Sequence, residues 1–274
     1  MSDKLSDGIL SGLSHIRNIG ASTAFASAVC IGVCTATVLM LAAIAPAISQ
    51  AAEDDAPIAK SLATMLRAGR TVISRNQDKI NDPKLGDKAL DGKTVLAEAV
   101  KIYRETTGAD PASIDANSRH GRLLRMEMDA ILEVMDAHQK TINRQGVGFK
   151  GFIPAVFGRL VSESFGRRAS GIAEMKVTAP PKLVRNAKAA ADEWEAAVIS
   201  GKLMSPSWPK DQIFAEVSQT KGKAVYRTAI PEYYGASCLN CHGSPAGEID
   251  ITGYPKEGAN VGDLGGVISI TLYR

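Results

Sequence analysis

Cys238, Cys241 and His242 stand in the run Cys238-Leu239-Asn240-Cys241-His242-Gly243, a Cys-x-x-Cys-His spacing. Two thiols so placed can add across a pair of vinyl groups to form thioethers, and the imidazole that follows can reach a metal from one axial side. The spacing therefore predicts one covalently attached haem c, with Cys238 and Cys241 as attachment points and His242 as the proximal iron ligand. Two other chemistries use such a cysteine pair. A thiol redox couple sits at a helix N-terminus after a strand, whereas here Tyr-Gly-Ala-Ser precedes the pair and Gly-Ser-Pro follows it, a loop texture. A structural zinc needs four ligands, and the set stays incomplete unless His120 or His138 joins it.

Thioether attachment takes place outside the cytoplasm, and the N-terminus supplies a matching address. No charged residue occurs from Ile19 to Gln50, Lys4 and Arg17 precede that stretch, and Ala45-Pro46-Ala47 and Ser49-Gln50-Ala51 offer small-residue cleavage sites. The apolar part exceeds the roughly 7–15 residues of an ordinary signal core. It matches the about 20 residues that span a bilayer. Residues 1–51 are therefore expected to be an export signal or a membrane anchor, with a periplasmic or otherwise exported body. Membrane association follows only if the segment is retained. Of the four cysteines, Cys30 and Cys34 fall inside it, which leaves Cys238 and Cys241 as the pair in the exported body.

The formal net charge of +3 gives no case for a nucleic-acid partner, which needs a concentrated basic face. The helices and strands that must position the motif are legible from periodicity. Ala56 to about Asn76 carries Ile58, Leu62, Met65, Leu66, Val72 and Ile73 on a helical stripe, broken by Asn81-Asp82-Pro83-Lys84-Leu85-Gly86. A second helix is expected over Lys93 to Glu105. A third, Arg119 to Asn143, aligns Leu124, Met128, Ile131, Met135, His138 and Ile142 on one face. A fourth opens on Pro154 and runs to Phe165. Short β-like runs follow at Gln212 to Val217, Ala224 to Ile230 and Gly266 to Tyr273, and the cysteine motif lies between the second and third. The expected division is a helical region over 52–145 and a haem module over 146–274.

Arg185-Asn186, Asp192-Glu193-Trp194-Glu195, Tyr226-Arg227-Thr228-Ala229-Ile230-Pro231, the cysteine motif and Gly262-Asp263-Leu264-Gly265-Gly266-Val267-Ile268-Ser269 occur in that order. This succession resembles the Tll0287-like (DUF3365) c-type haem domain family over roughly Val147 to Arg274. The resemblance implies an α+β fold, a PAS-like antiparallel sheet with flanking helices carrying a covalent haem, preceded by helices. It also implies redox or ligand sensing. Members of that family can use a Cys ahead of the Arg-Asn element as the second axial ligand, and the region around Gln145 to Pro154 holds none.

The sixth iron position is thus open to other residues or to none. His138 is a candidate distal ligand, or a buried histidine bonded to a backbone carbonyl. His120, Met128, Met135, Met175 and Met204 are further candidates that also read as capping or core residues. Arg185 and Arg227 can each pair with a haem propionate or form an ordinary salt bridge. Trp194 can pack on the haem edge or anchor a loop, and Tyr233, Tyr234 and Tyr254 are expected near the site.

Three functional classes follow. A haem sensor would respond to redox state or a small gas ligand and signal to a separate partner. A periplasmic one-electron carrier would need only the haem and a redox partner. A haem enzyme would need distal acid–base groups, and no catalytic constellation is found.

Overall fold

The computed structural model describes residues 54–220 and 222–274. A long helix, α1 (residues 54–75), is followed by α2 (Gln77–Asn81), α3 (Gly92–Thr107), α4 (Arg119–Ala137), α5 (Gln139–Ile142) and α6 (Pro154–Arg168). Then come β1 (Ala173–Thr178), α7 (Glu193–Val198), β2 (Phe214–Thr220), β3 (Lys223–Tyr233), α8 (Leu239–His242) and β4 (Leu264–Tyr273). The fold is α+β, with one antiparallel sheet in the order β1-β4-β3-β2 among the described residues.

Local chemistry sets the helix ends. Asp91 accepts from Thr94 N at 2.7 Å to open α3, and Gly108, at φ +71°, closes it in the left-handed region that glycine tolerates. Ser118 caps α4 through Gly121 N at 3.0 Å. The helix expected over Arg119 to Asn143 is interrupted at His138, whose φ of −104° and ψ of 7° leave the helical basin and separate α4 from α5.

The stripe expected on the first helix is the face that α1 buries: Leu62, Met65, Leu66, Val72 and Ile73 are completely inaccessible. They share one core with Leu124, Ile131 and Met135 of α4, Phe157 and Phe165 of α6, and Met175, Tyr226, Ile230, Ile268, Ile270 and Leu272 of the sheet. Each such aliphatic side chain contributes about 2 kcal/mol by leaving water. On the other face of the sheet a smaller core gathers Ala229 and Val267 under Val198, Ile199 and Leu203, with Trp194, Trp208 and Phe214 at its margin.

Two elements were not expected from the sequence. In β1, Ala173, Met175 and Val177 pair with Leu272, Ile270 and Ile268 on the helix side, while Glu174 and Lys176 take the outer face. Those charges are the polar half of a period-two pattern, on a segment rich in Ala, Glu and Lys, which strands disfavour. The short α7 opens with a capping box in which Asp192 and Glu195 satisfy each other's backbone N–H groups, each at 2.8 Å.

Candidate haem site

The 30-residue-scale excursion between β3 and β4 carries the cysteine motif, and its two ends are joined. Tyr234 N donates to Asp263 O at 2.9 Å and Gly262 N to Tyr234 O at 2.8 Å. After Gly235 a 3-10 turn, Ala236–Cys238, runs into the four-residue α8. Helical spacing of three and four residues places Cys241 and His242 beside Cys238. Gly243 ends the turn, and a Cβ there would lie 2.6 Å from Leu239 O, so a side chain would block the exit.

Both thiols are free and half-buried. Burial, with the Asp250 carboxylate nearby, pushes the Cys241 thiol up. That is opposite to the lowered pKa by which a Cys-x-x-Cys redox pair gains reactivity.

The His242 ring is fixed from two sides. Its Nδ1 lies 2.8 Å from Glu257 Oε2, and since a carboxylate accepts, Nδ1 is the donor, which in the neutral ring leaves the lone pair on Nε2. Tyr234 stacks on the imidazole, with centroids 4.8 Å apart and planes 23° from parallel. Burial, with Glu257's charge, pushes the Tyr234 phenol up to about 12, so it stays a hydroxyl. Gly265 makes room for that ring, because a Cβ there would come within 2.4 Å of Tyr234 Cε1.

Arg185 ties this loop together. Its guanidinium donates to Glu257 Oε1 from Nε at 3.1 Å, to Asp250 Oδ2 from Nη1 at 2.5 Å and to Cys241 O from Nη2 at 2.9 Å. Asp250 also accepts from Thr252 N at 2.7 Å and Thr252 Oγ1 at 2.6 Å. Burial alone would raise the Asp250 carboxyl, but these donors outweigh it and hold the group well below the usual carboxylate range. Tyr254 completes the brace by donating its hydroxyl to Arg185 O at 3.0 Å. Sequence reading brought Arg185 and Tyr254 to this place but missed Asp250 and Glu257, the acids between them. Asp250-Ile251-Thr252 is an Asx-type turn signal. Glu257 carries no local signature, since its partners are 15 and 72 residues away.

The remaining candidates lie elsewhere. Arg227 sits on β3, its Nη2 on Asp192 at 2.7 Å and its guanidinium 4.2 Å from the Trp194 ring centroid. Trp194 Nε1 donates to Glu216 at 2.5 Å. The two form a cluster of their own on the outer face of the sheet. Beside it a pocket of about 280 Å³ runs along β1, lined among others by Lys176, Asp192, Glu195 and Arg227, with Arg159, Lys176 and Arg227 paired to carboxylates of the same lining. His138 closes α4, with Nδ1 at 2.7 Å from Val134 O and its ring against Phe152 at 5.3 Å. The carbonyl can only accept, so Nδ1 is the donor here too. His120 is partly buried at the start of α4, with Nε2 unpaired, and burial lowers its pKa. Met135 and Met175 are buried in the main core, Met128 packs against it, and Met204 is exposed. Tyr233 accepts from Asp211 N at 3.2 Å. Cys30 and Cys34 lie outside the described residues.

A family model described as Tll0287-like matches residues 49–272. The chain belongs to the Tll0287-like family. No curated protein and no solved structure matches it. The Tll0287-like family is one of c-type haem domains, and the donor set here fits that group: two free thiols on one short turn, followed by an imidazole whose Nδ1 is engaged by a carboxylate. The excursion is also anchored to α1, where Ser74 Oγ donates to Ser237 Oγ at 3.3 Å. Among the described residues no group of three or more His, Cys, Asp or Glu side chains converges as a metal-ion site.

Proposed function

We propose that this protein is an exported monohaem c-type sensor, holding one haem through thioethers from Cys238 and Cys241, with His242 Nε2 as the proximal iron ligand. The observation that carries this reading is the 2.8 Å bond from His242 Nδ1 to Glu257, which fixes the ligand tautomer beside two free thiols. Bound haem supplies a one-electron couple and, where the sixth position is open or displaceable, a site for a small gas. The sheet and its helices would then act as a PAS-like module over 146–274, behind the helical region 52–145. Export rests on the uncharged run Ile19 to Gln50, and a retained segment would tether the module to the inner membrane.

His138 is the candidate distal ligand in this reading, the alternative being an open sixth position. Its Nε2 is left free, its neighbour Phe152 accepts from Gln77 Nε2 at 3.3 Å, and Ser74, three residues before Gln77, reaches Ser237 beside Cys238. A signal produced by a ligand or redox change would pass to a separate partner through α1. A second reading, a one-electron carrier, is favoured by one observation: Ile249, Ile251 and Val261 of the same excursion are each more than 60% exposed, a surface suited to a transient redox partner.

Intact mass of the purified exported protein should show one haem, and Cys238→Ala with Cys241→Ala should abolish it. Retention of covalent haem by the double variant would overturn the assignment. Visible spectra in both redox states, with carbon monoxide or nitric oxide, then separate the two readings. Gas binding with a change of shape supports the sensor; a spectrum indifferent to gas excludes gas sensing.

A further inference from the structure

We propose that Glu257 is a positioning and potential-setting residue for the haem iron, acting through the proximal imidazole. The inference rests on the reading of His242 as the iron ligand and adds to it a direction of redox tuning. A metal-bound histidine commonly donates its other ring N–H to an acceptor that fixes ring orientation and ligand basicity. The acceptor here is a carboxylate rather than a neutral carbonyl, at 2.8 Å from His242 Nδ1. A carboxylate draws the Nδ1 proton toward itself, gives the ring partial imidazolate character and makes Nε2 a stronger donor. The ferric state is favoured and the potential is lowered.

Tyr234 lies 3.3 Å from the same nitrogen and stacks on the ring, so it competes poorly as an acceptor and serves to hold the ring plane. Several contacts keep Glu257 in place. Arg185 grips both of its oxygens from Nη2, at 3.0 and 3.1 Å, while bonding Cys241 O of the motif itself. The backbone after it is bonded to the motif too, with Gly258 N on Gly243 O at 3.2 Å and Ala259 N on His242 O at 2.8 Å. Gly258, at φ +76°, supplies the left-handed turn that brings the acid back. Imidazole and carboxylate are 25% and 19% exposed, so the bond is partly shielded from water. Arg185 shares the charge of Glu257 and thereby limits how much of it reaches the ring.

The test is a spectroscopic redox titration of the haem-loaded protein and its Glu257→Gln variant. The near-isosteric amide keeps an acceptor but removes the charge. With haem content and the oxidised spectrum unchanged, the reduction equilibrium constant should rise about tenfold, equal to 59 mV for a one-electron couple. Glu257→Asp, which keeps the charge on a shorter arm, should give a smaller rise, and it carries the test if the amide variant does not load haem. An unchanged potential in a fully loaded variant overturns the role of Glu257 and leaves His242 ligation intact. His242→Ala reports separately: if it leaves the spectrum unaltered, the ligand assignment itself fails.

Discussion

Arg70 and Glu232 meet at 2.5 Å, joining the middle of α1 to the last turn of the β3 ladder before the cysteine motif. Arg67 takes the other oxygen of Glu232 at 2.5 Å and donates to Pro231 O at 2.8 Å. Two cations from one helix thus fix the strand that leads into the excursion, and Ser74 continues the contact one turn further on.

Removing that acid should loosen the helix from the end of the sheet that leads into the cysteine motif. Glu232→Gln is expected to cost about 2 kcal/mol, the usual scale for a hydrogen bond to a charged group. Urea unfolding of wild type and variant at equal haem loading measures it. A midpoint unchanged within error would mean that the triad contributes no stability.

Glu127 of α4 is fully buried with neither carboxylate oxygen paired, and burial holds its pKa well above the ordinary value. The folded chain keeps this proton while the unfolded chain releases it above about pH 4.3. Stability is therefore greatest below that pH and falls as pH rises toward the raised folded value, by up to roughly 1.4 kcal/mol per pH unit. Glu127→Gln should abolish that slope. Unfolding free energies of both proteins across pH 4–8 give the comparison, and parallel curves would refute it.

Gly265→Ala should push the Tyr234 ring off the imidazole, given a Cβ only 2.4 Å from Cε1. A loss of about 1–3 kcal/mol is expected for such overpacking. The haem spectrum should change with it, whereas an unaltered spectrum would show that the stack does not hold the ring.

The sixth position is tested at His138. His138→Ala should convert a low-spin spectrum toward high spin, and it should also release Val134 O at the end of α4. A loss of stability with an unchanged spectrum would confine His138 to closing that helix.

Periodicity made the helical core and three of the four strands legible, because Leu62, Ile131 or Ile270 can be placed by spacing alone. The strand β1 was less legible because its Ala, Glu and Lys are residues that strands disfavour, although Glu174 and Lys176 do sit where the sheet faces outward. The motif itself was readable because its chemistry is local. Its surroundings were not: Glu257 and Asp250 act through Arg185, and only the folded loop brings an acid at 257 against residues 185 and 242. Arg227 and Trp194 show the converse, a recognisable sequence element whose side chains serve each other on the outer face.

The motif interrupts a hairpin whose two strands stay zipped from Val225 opposite Tyr273 to Tyr233 opposite Leu264. The entropy of closing so long a loop, which grows as about (3/2)RT ln n, is met by that ladder and not by whatever the loop holds. Ordering the interior is all that is left to a bound group. The sheet can then keep its register while the loop exchanges residues, so the site it carries is free to diverge with little change to the framework.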